Sequence, residues 1–422
     1  MTNASNYFTK TTVVVDGKVV AKNTLAPTNV SYVDLLVDLI TTPIYAYQSV
    51  PLVINGVSTT KYLQTIRSEV VDSQTKFLPK AALDKNNNLW AWGATSSSGQ
   101  LGNNTTNDSS IPVSVFFSSP AQQVTSSTSG NTALLDYDGL AWSFGLNAYG
   151  ELGDGTTTNR SSPVSVLGAN QFVTISGLNI IGGFAALDMS GKAWTWGSGK
   201  NGALGDGTTQ HRSSPVSVLT AANFVSIEGG LAIDTNNNCW SWGDNSLGSV
   251  GDGTTQNRSA PVQIVGNFNN NVMFIANSGY SRFVLDSDGY CYSWGNNTNG
   301  GLGDGTTNHR SAPVSVIGNH KFKKVASSNG VTLALDVEGI IWAWGYNFYG
   351  NLGTGSTTAY SSPVAINQGV TRFIDIGVDT NCSAGLDTNG NIWAWGILAN
   401  SLGAGISVYA PTMIFPTLTF KI

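Results

Sequence analysis

Residues 187–205 read LDMSGKAWTWGSGKNGALG. An apolar residue and an acid lead (Leu187, Asp188). A tight turn follows at Ser190-Gly191, then an aromatic strand that ends in glycine (Trp194, Trp196, Gly197). A second turn closes on Leu204-Gly205, and a proline-led strand, PVSV, begins at Pro215. Each of these parts recurs at a nearly constant interval, which makes the chain a repeat array rather than a succession of unrelated elements.

The aromatic-glycine step falls at Gly93, Gly145, Gly197, Gly243, Gly295, Gly345 and Gly396, spaced by 52, 52, 46, 52, 50 and 51 residues. The Leu-Gly turn follows at Leu101, Leu152, Leu204, Leu302, Leu352 and Leu402, with Val250 in the fourth copy. The proline recurs at Pro112, Pro163, Pro215, Pro261, Pro313, Pro363 and Pro411. In W-x-W-G the two aromatics are two apart, so both point to one face of a strand. Asp-Gly and Asn-rich pairs before that strand are hairpin signals. Each unit of about fifty residues therefore reads as a small antiparallel sheet of about four strands. Seven such sheets packed face to face in a ring cover their own faces, and the fold expected is an all-β, seven-bladed β-propeller.

All twelve tryptophans occupy this one motif: Trp90, Trp92, Trp142, Trp194, Trp196, Trp240, Trp242, Trp294, Trp342, Trp344, Trp393 and Trp395. Phe144 and Tyr292 take the two remaining slots. A large ring buries roughly 150–250 Å², which at about 25 cal/mol/Å² is roughly 4–6 kcal/mol gross. The tryptophans are expected to form the blade core.

The W-x-W-G strand, the N-x-x-G-x-L-G turn (Asn147 to Gly153, Asn297 to Gly303, Asn347 to Gly353) and the P-V-x-V strand together resemble the regulator of chromosome condensation repeats. The resemblance covers about residues 71–422 and implies a seven-bladed propeller. It is less specific about activity, since that family includes exchange factors, photoreceptors and ubiquitin-ligase parts.

Residues 1–70 lack the repeat and read as an N-terminal attachment or adaptor segment, α+β or β-rich; residues 71–422 are the propeller. Within the segment, 11–21 reads as a hairpin turning at Asp16-Gly17, 29–40 as a short helix, and 49–57 as a strand ending at Asn55-Gly56. The first blade lacks the F-x-x-I strand seen at Phe172, Phe224 and Phe373. Phe420-Lys421-Ile422 stands nine residues after Pro411, as Phe172 does after Pro163, and is expected to complete that blade.

The most regular polar feature follows Leu-Gly. Asp and Arg stand six apart in four loops: Asp154 and Arg160, Asp206 and Arg212, Asp252 and Arg258, Asp304 and Arg310. The acid either caps its turn and pairs with the arginine, or the loops form a rim that faces a partner. Asp84, Asp136, Asp188, Asp234, Asp286, Asp336 and Asp387 hold one place in each unit. A sevenfold acid reads as a hairpin cap, since a catalytic group needs one special environment. His211 and His309 replace Asn159 and Asn257 and read as surface variants; Cys239, Cys291 and Cys382 read as buried fillers. No nucleophile–base set, metal cluster or phosphate loop escapes the repeat, so neither an enzyme nor a cofactor is expected.

Net charge is −5 with only 11% charged residues. That argues against nucleic acid as a partner. No apolar run has membrane-spanning length, and the N-terminus lacks a signal-peptide pattern. The surface is kept polar by Ser, Thr and Asn. The function expected is a non-enzymatic structural or interaction propeller, a phage-tail, decoration or other virion or surface-displayed component. Residues 1–70 would anchor it to protein partners or join copies of the chain, placing it on a virion or extracellular surface. The alternatives are a cytoplasmic protein-binding regulator of the guanine-nucleotide-exchange type and a glycan- or protein-binding module.

Overall fold

The computed structural model describes residues 8–15, 18–27, 49–54 and 57–62. It also describes 80–414 apart from 84–86, 94–97, 128–129, 169, 179–181, 267, 269–270, 367–370, 379–381, 390 and 398–406. The chain divides into two units, Met1–Arg67 and Ser68–Ile422. In the first, strands Phe8–Val15 and Lys18–Pro27 pair antiparallel, as do Ser49–Ile54 and Val57–Tyr62. The expected helix over 29–40 and the closing strand at Phe420-Ile422 lie outside the described residues.

The second unit is a seven-bladed β-propeller. Blades 1 to 7 span residues 80–114, 121–165, 172–217, 224–263, 272–315, 322–366 and 373–414. Blades 2 to 7 are four-stranded meanders, and blade 1 shows three strands among the described residues. In blade 3 the strands are Phe172–Gly177, Gly183–Asp188, Ala193–Gly197 and Arg212–Ser217, paired in sequence order. First strands of successive blades approach one another and form the inner edge. The one helical turn among the described residues is a 3-10 turn, Lys200–Gly202.

The core is divided among the seams between blades. One cluster joins Ala185, Leu187 and Leu204 of blade 3 to Phe224, Ile227 and Trp242 of blade 4. Another joins Leu333, Ile341 and Leu352 of blade 6 to Phe373, Ile376 and Trp395 of blade 7. The sheets of blades 2 to 6 thus bury both faces, which no isolated blade could do.

The two aromatics of each step have different jobs. The second is the wedge: Phe144, Trp196, Trp242, Trp294, Trp344 and Trp395 are fully buried. Each lies against the Leu-Gly turn of the preceding blade. A Cβ at Gly205 would come within 2.8 Å of Trp242 Nε1, and its φ is +67°, so that turn requires glycine. The first aromatic is half-buried at Trp90, Trp142, Trp194, Trp240, Trp342 and Trp393, and buried at Tyr292. The side chain of Trp92 is outside the described residues.

Candidate interaction surface

The hairpin acid explains why the first aromatic stays at the edge. Asp188 Oδ1 accepts from the backbone N–H of Ser190 and Lys192, and its Oδ2 accepts from Trp194 Nε1 at 2.9 Å. Asp136, Asp234, Asp336 and Asp387 receive Trp142, Trp240, Trp342 and Trp393 in the same way. Asp286 receives the Tyr292 hydroxyl at 3.5 Å; Asp84 is outside the described residues. Burial pushes the Asp188 carboxyl up, but the donors from Ser190 and Trp194 outweigh it and hold the group below the usual range. Each of these six acids caps its own hairpin.

The loop after Leu-Gly is closed on itself. Asp154 Oδ1 accepts from Thr156 N and Oγ1, and its Oδ2 takes Arg160 Nε at 2.9 Å and Nη2 at 2.8 Å. Arg212, Arg258 and Arg310 meet Asp206, Asp252 and Asp304 identically. The acids are nearly buried while the arginines are about one-third exposed, at 6% and 36% for the first pair. Burial raises these four carboxyls, but their Thr and Arg donors together outweigh it and hold all four below the usual range.

The same loops latch the ring. Gly155 N donates to Ser213 O in the next blade at 2.7 Å. Gly207, Gly253 and Gly305 repeat this with Ser259, Ser311 and Ser361. In blade 1 Asn103 replaces the acid and accepts from Thr105, while Asn104 supplies the latch to Ser161. Blade 6 has Thr354 and Tyr360 where blades 2 to 5 have Asp and Arg, and Gly355 still latches to Tyr409.

A buried asparagine, Asn147, Asn245, Asn297 or Asn347, organises this loop in blades 2, 4, 5 and 6, and sequence reading gave it no role. Asn147 accepts Leu152 N at 2.9 Å and donates to the carbonyls of Thr156 and Thr158. Its backbone N–H is taken by Asn159 Oδ1. His211 and His309 fill that last role through Nδ1, accepting from Gly199 and Asn297. They are therefore loop clasps and not merely surface variants. The signal was their exact alignment with Asn159 and Asn257.

What differs between blades is the tip of this loop. In blade 6 Phe348 is 66% exposed, at right angles to Tyr349 with centroids 5.0 Å apart, and stacked beside Tyr346. Residues 346–360 contain no charged side chain. In blade 2 the half-exposed Tyr149 lies on His211, 4.6 Å between centroids. The structure therefore does not gather the Asp–Arg pairs into one site; it spreads them along the outer strands and neutralises each internally.

Among the described residues no group of three or more His, Cys, Asp and Glu is placed to hold a metal. All three cysteines are buried thiols outside any disulfide. Burial pushes Cys239 up to about 12 and Cys291 higher, so neither is a thiolate at neutral pH. No helix among the described residues is long and apolar enough to cross a membrane.

Fold and loop chemistry define a repeat propeller, and the chain belongs to the family of the Regulator of chromosome condensation (RCC1) repeat, which matches residues 86–134, 138–177, 190–231, 236–283, 288–335 and 338–384. Each matched segment begins at the third strand of one blade and ends in the next blade. Among particular relatives, the chain is similar to the probable E3 ubiquitin-protein ligase HERC4 of Rattus norvegicus, 32% identical over 144 residues, which is 33% of this chain and 13% of that protein. It is 27% identical to the human E3 ubiquitin-protein ligase HERC2 over 284 residues, 64% of this chain and 5% of that protein. In fold it is similar to Prp20p of Saccharomyces cerevisiae, with TM-score 0.67, 20% identity, and coverage of 80% of this chain and 88% of that one. That structure is described together with binding to Gsp1p and histones. Human WBSCR16 gives TM-score 0.66 at 18% identity, covering 77% and 92%. The chain thus spans only a small part of the ligases it matches.

Proposed function

We propose that this chain is a non-enzymatic protein-binding propeller of the regulator type, with the blade 6 loop as a principal contact. The observation that carries this reading is the contrast between a latched, internally neutralised rim and the exposed Phe348 on it, flanked by the half-buried Tyr346 and Tyr349. Rigid aromatic anchors on a preorganised loop are what protein interfaces use as hot spots. The comparisons support an interaction propeller and lean toward the regulator alternative. The expectation of a virion or phage component finds no support in these relatives, two of them ligases and a third described with Gsp1p and histone binding.

The test is capture of a partner by the full chain, compared with Phe348→Ala and Tyr349→Ala. Loss of at least tenfold in affinity with unchanged melting temperature supports the reading; equal affinity sinks it. Adding purified small GTPases and following nucleotide release separates an exchange regulator from a passive adaptor. Light scattering on the full chain and on a chain starting at residue 72 tests whether the N-terminal segment joins copies.

A further inference from the structure

Arg282 lies in the second strand of blade 5, Ser281–Asp286. Its cross-strand neighbours are Asn277 and Trp294, and directly opposed residues share a face of the sheet. Trp294 is part of the core between blades 4 and 5, so the guanidinium sits in that seam. It is 1% exposed. Nη2 donates to the carbonyl of Trp242 in blade 4 at 3.3 Å. Nε and Nη1 have no hydrogen-bond partner.

Blade 4 makes room for this side chain. The matching position there is Gly230, where a Cβ would lie 3.3 Å from Arg282 Nη2 and 3.6 Å from Nη1. The matching residues in blades 2, 3, 6 and 7 are Thr132, Phe184, Thr332 and Ser383, none of them charged. Thr332 and Ser383 use their hydroxyls on carbonyls of the preceding blade, Gly301 and Asn351. Among blades 2 to 7 only blade 5 carries a charged residue at this place; in blade 1 the residue paired with Trp92 is Lys80. Asp244, in the loop that follows Trp242, has its carboxylate taken by Asn201 and Ser246, and Arg282 makes no ion pair with it.

Burial pulls the Arg282 guanidinium down to about 10, which leaves it cationic at neutral pH. A buried charge with unmet donors is costly unless a counter-charge satisfies it. Buried guanidinium groups are accordingly matched by an acceptor that carries charge.

We propose that the seam between blades 4 and 5 is an anion site, in which Arg282 holds a small monovalent anion of chloride size on its unpartnered Nε and Nη1. A side chain so enclosed excludes a bulky anion or the acidic residue of a docked protein. The inference is independent of the partner reading above.

The test compares the melting temperature of the full chain in sodium chloride and in sodium gluconate of equal concentration, for wild type and Arg282→Met. Chloride should raise the wild-type value by about 2–4 °C, saturating with concentration, and should leave Arg282→Met at its gluconate value. The same chloride response in both proteins, or a response that never saturates, overturns the proposal. Should Arg282→Met fail to fold, chloride-35 line broadening on the wild type decides. Saturable broadening competed by bromide supports the site, and broadening merely proportional to protein concentration overturns it.

Discussion

Trp344 in blade 6 donates its indole N–H to the carbonyl of Gly301 in blade 5 at 2.8 Å, across 43 residues of sequence. Trp242, Trp294 and Trp395 reach back to Ala203, Ser249 and Asn351 in the same manner. Trp196 occupies the equivalent place with its Nε1 unpartnered. The seams are thus chemically graded although the sequence motif is constant.

That grading gives the first prediction. Trp344→Ala should cost about 3–5 kcal/mol in denaturant unfolding. Trp344→Phe should cost about 1 kcal/mol more than Trp196→Phe, because only Trp344 gives up a hydrogen bond. Blade 2 already carries Phe144 at this place, fully buried. Equal costs for the two Phe variants would refute the graded-seam reading.

Glycine in the Leu-Gly turn offers a second. Gly205→Ala places a methyl group against Trp242 at a φ of +67°. The expected loss is about 2–3 kcal/mol. Gly355 has a φ of +81° but nothing within 4 Å of its Cβ position. Gly355→Ala should therefore show only the backbone penalty, about 1–2 kcal/mol. Urea midpoints at constant slope distinguish the two.

The histidine clasps provide a third. His309→Asn should leave stability unchanged, because Asn257 makes the same bond to Asn245 N at 2.8 Å. His309→Ala should cost about 1 kcal/mol and speed amide exchange at Asn297, whose N–H loses its acceptor. Equal exchange in both variants would remove the clasp role.

Acid sensitivity follows from the carboxyls. Asp154, Asp188, Asp206, Asp234, Asp252, Asp304 and Asp387 are all held below the usual range, their hydrogen-bond donors overcoming the effect of burial. A folded-state value below the unfolded one adds stability that is complete above the unfolded value, about 3.9. That stability is lost as pH falls through the folded values. The melting temperature should drop steeply below about pH 4, after at most a shallow fall below about pH 6.5, where His320, held low by burial, takes up its proton less readily in the folded chain. A steep drop centred near pH 6 would point elsewhere.

Much of this was legible in the chain itself. Seven spaced W-x-W-G steps announce seven sheets, because period-2 alternation and Asp-Gly turns are local properties of a few residues. The acid before each hairpin was readable as a cap for the same reason: its partners at Ser190, Lys192 and Trp194 lie within six residues. The Asp154–Arg160 pairing was legible as one of two options, again because both partners share one loop.

The rest needed the tertiary structure. Sequence alone put both aromatics of the step on one face; only the packing shows that Trp196 is the wedge and Trp194 the edge. The partners of the wedge tryptophans lie about forty residues away on another sheet, and no local period encodes which carbonyl a side chain will meet. The segments that match the family start at a third strand, whereas the sheet starts at a first strand, so the folded blade is offset from the family's repeat unit. Arg282 illustrates the limit best. In sequence it is one residue of an ordinary strand, and its unmatched charge arises from the blade 4 backbone packed over it. Local order follows from neighbouring residues, while seams, latches and buried charge are settled by which surfaces close on one another.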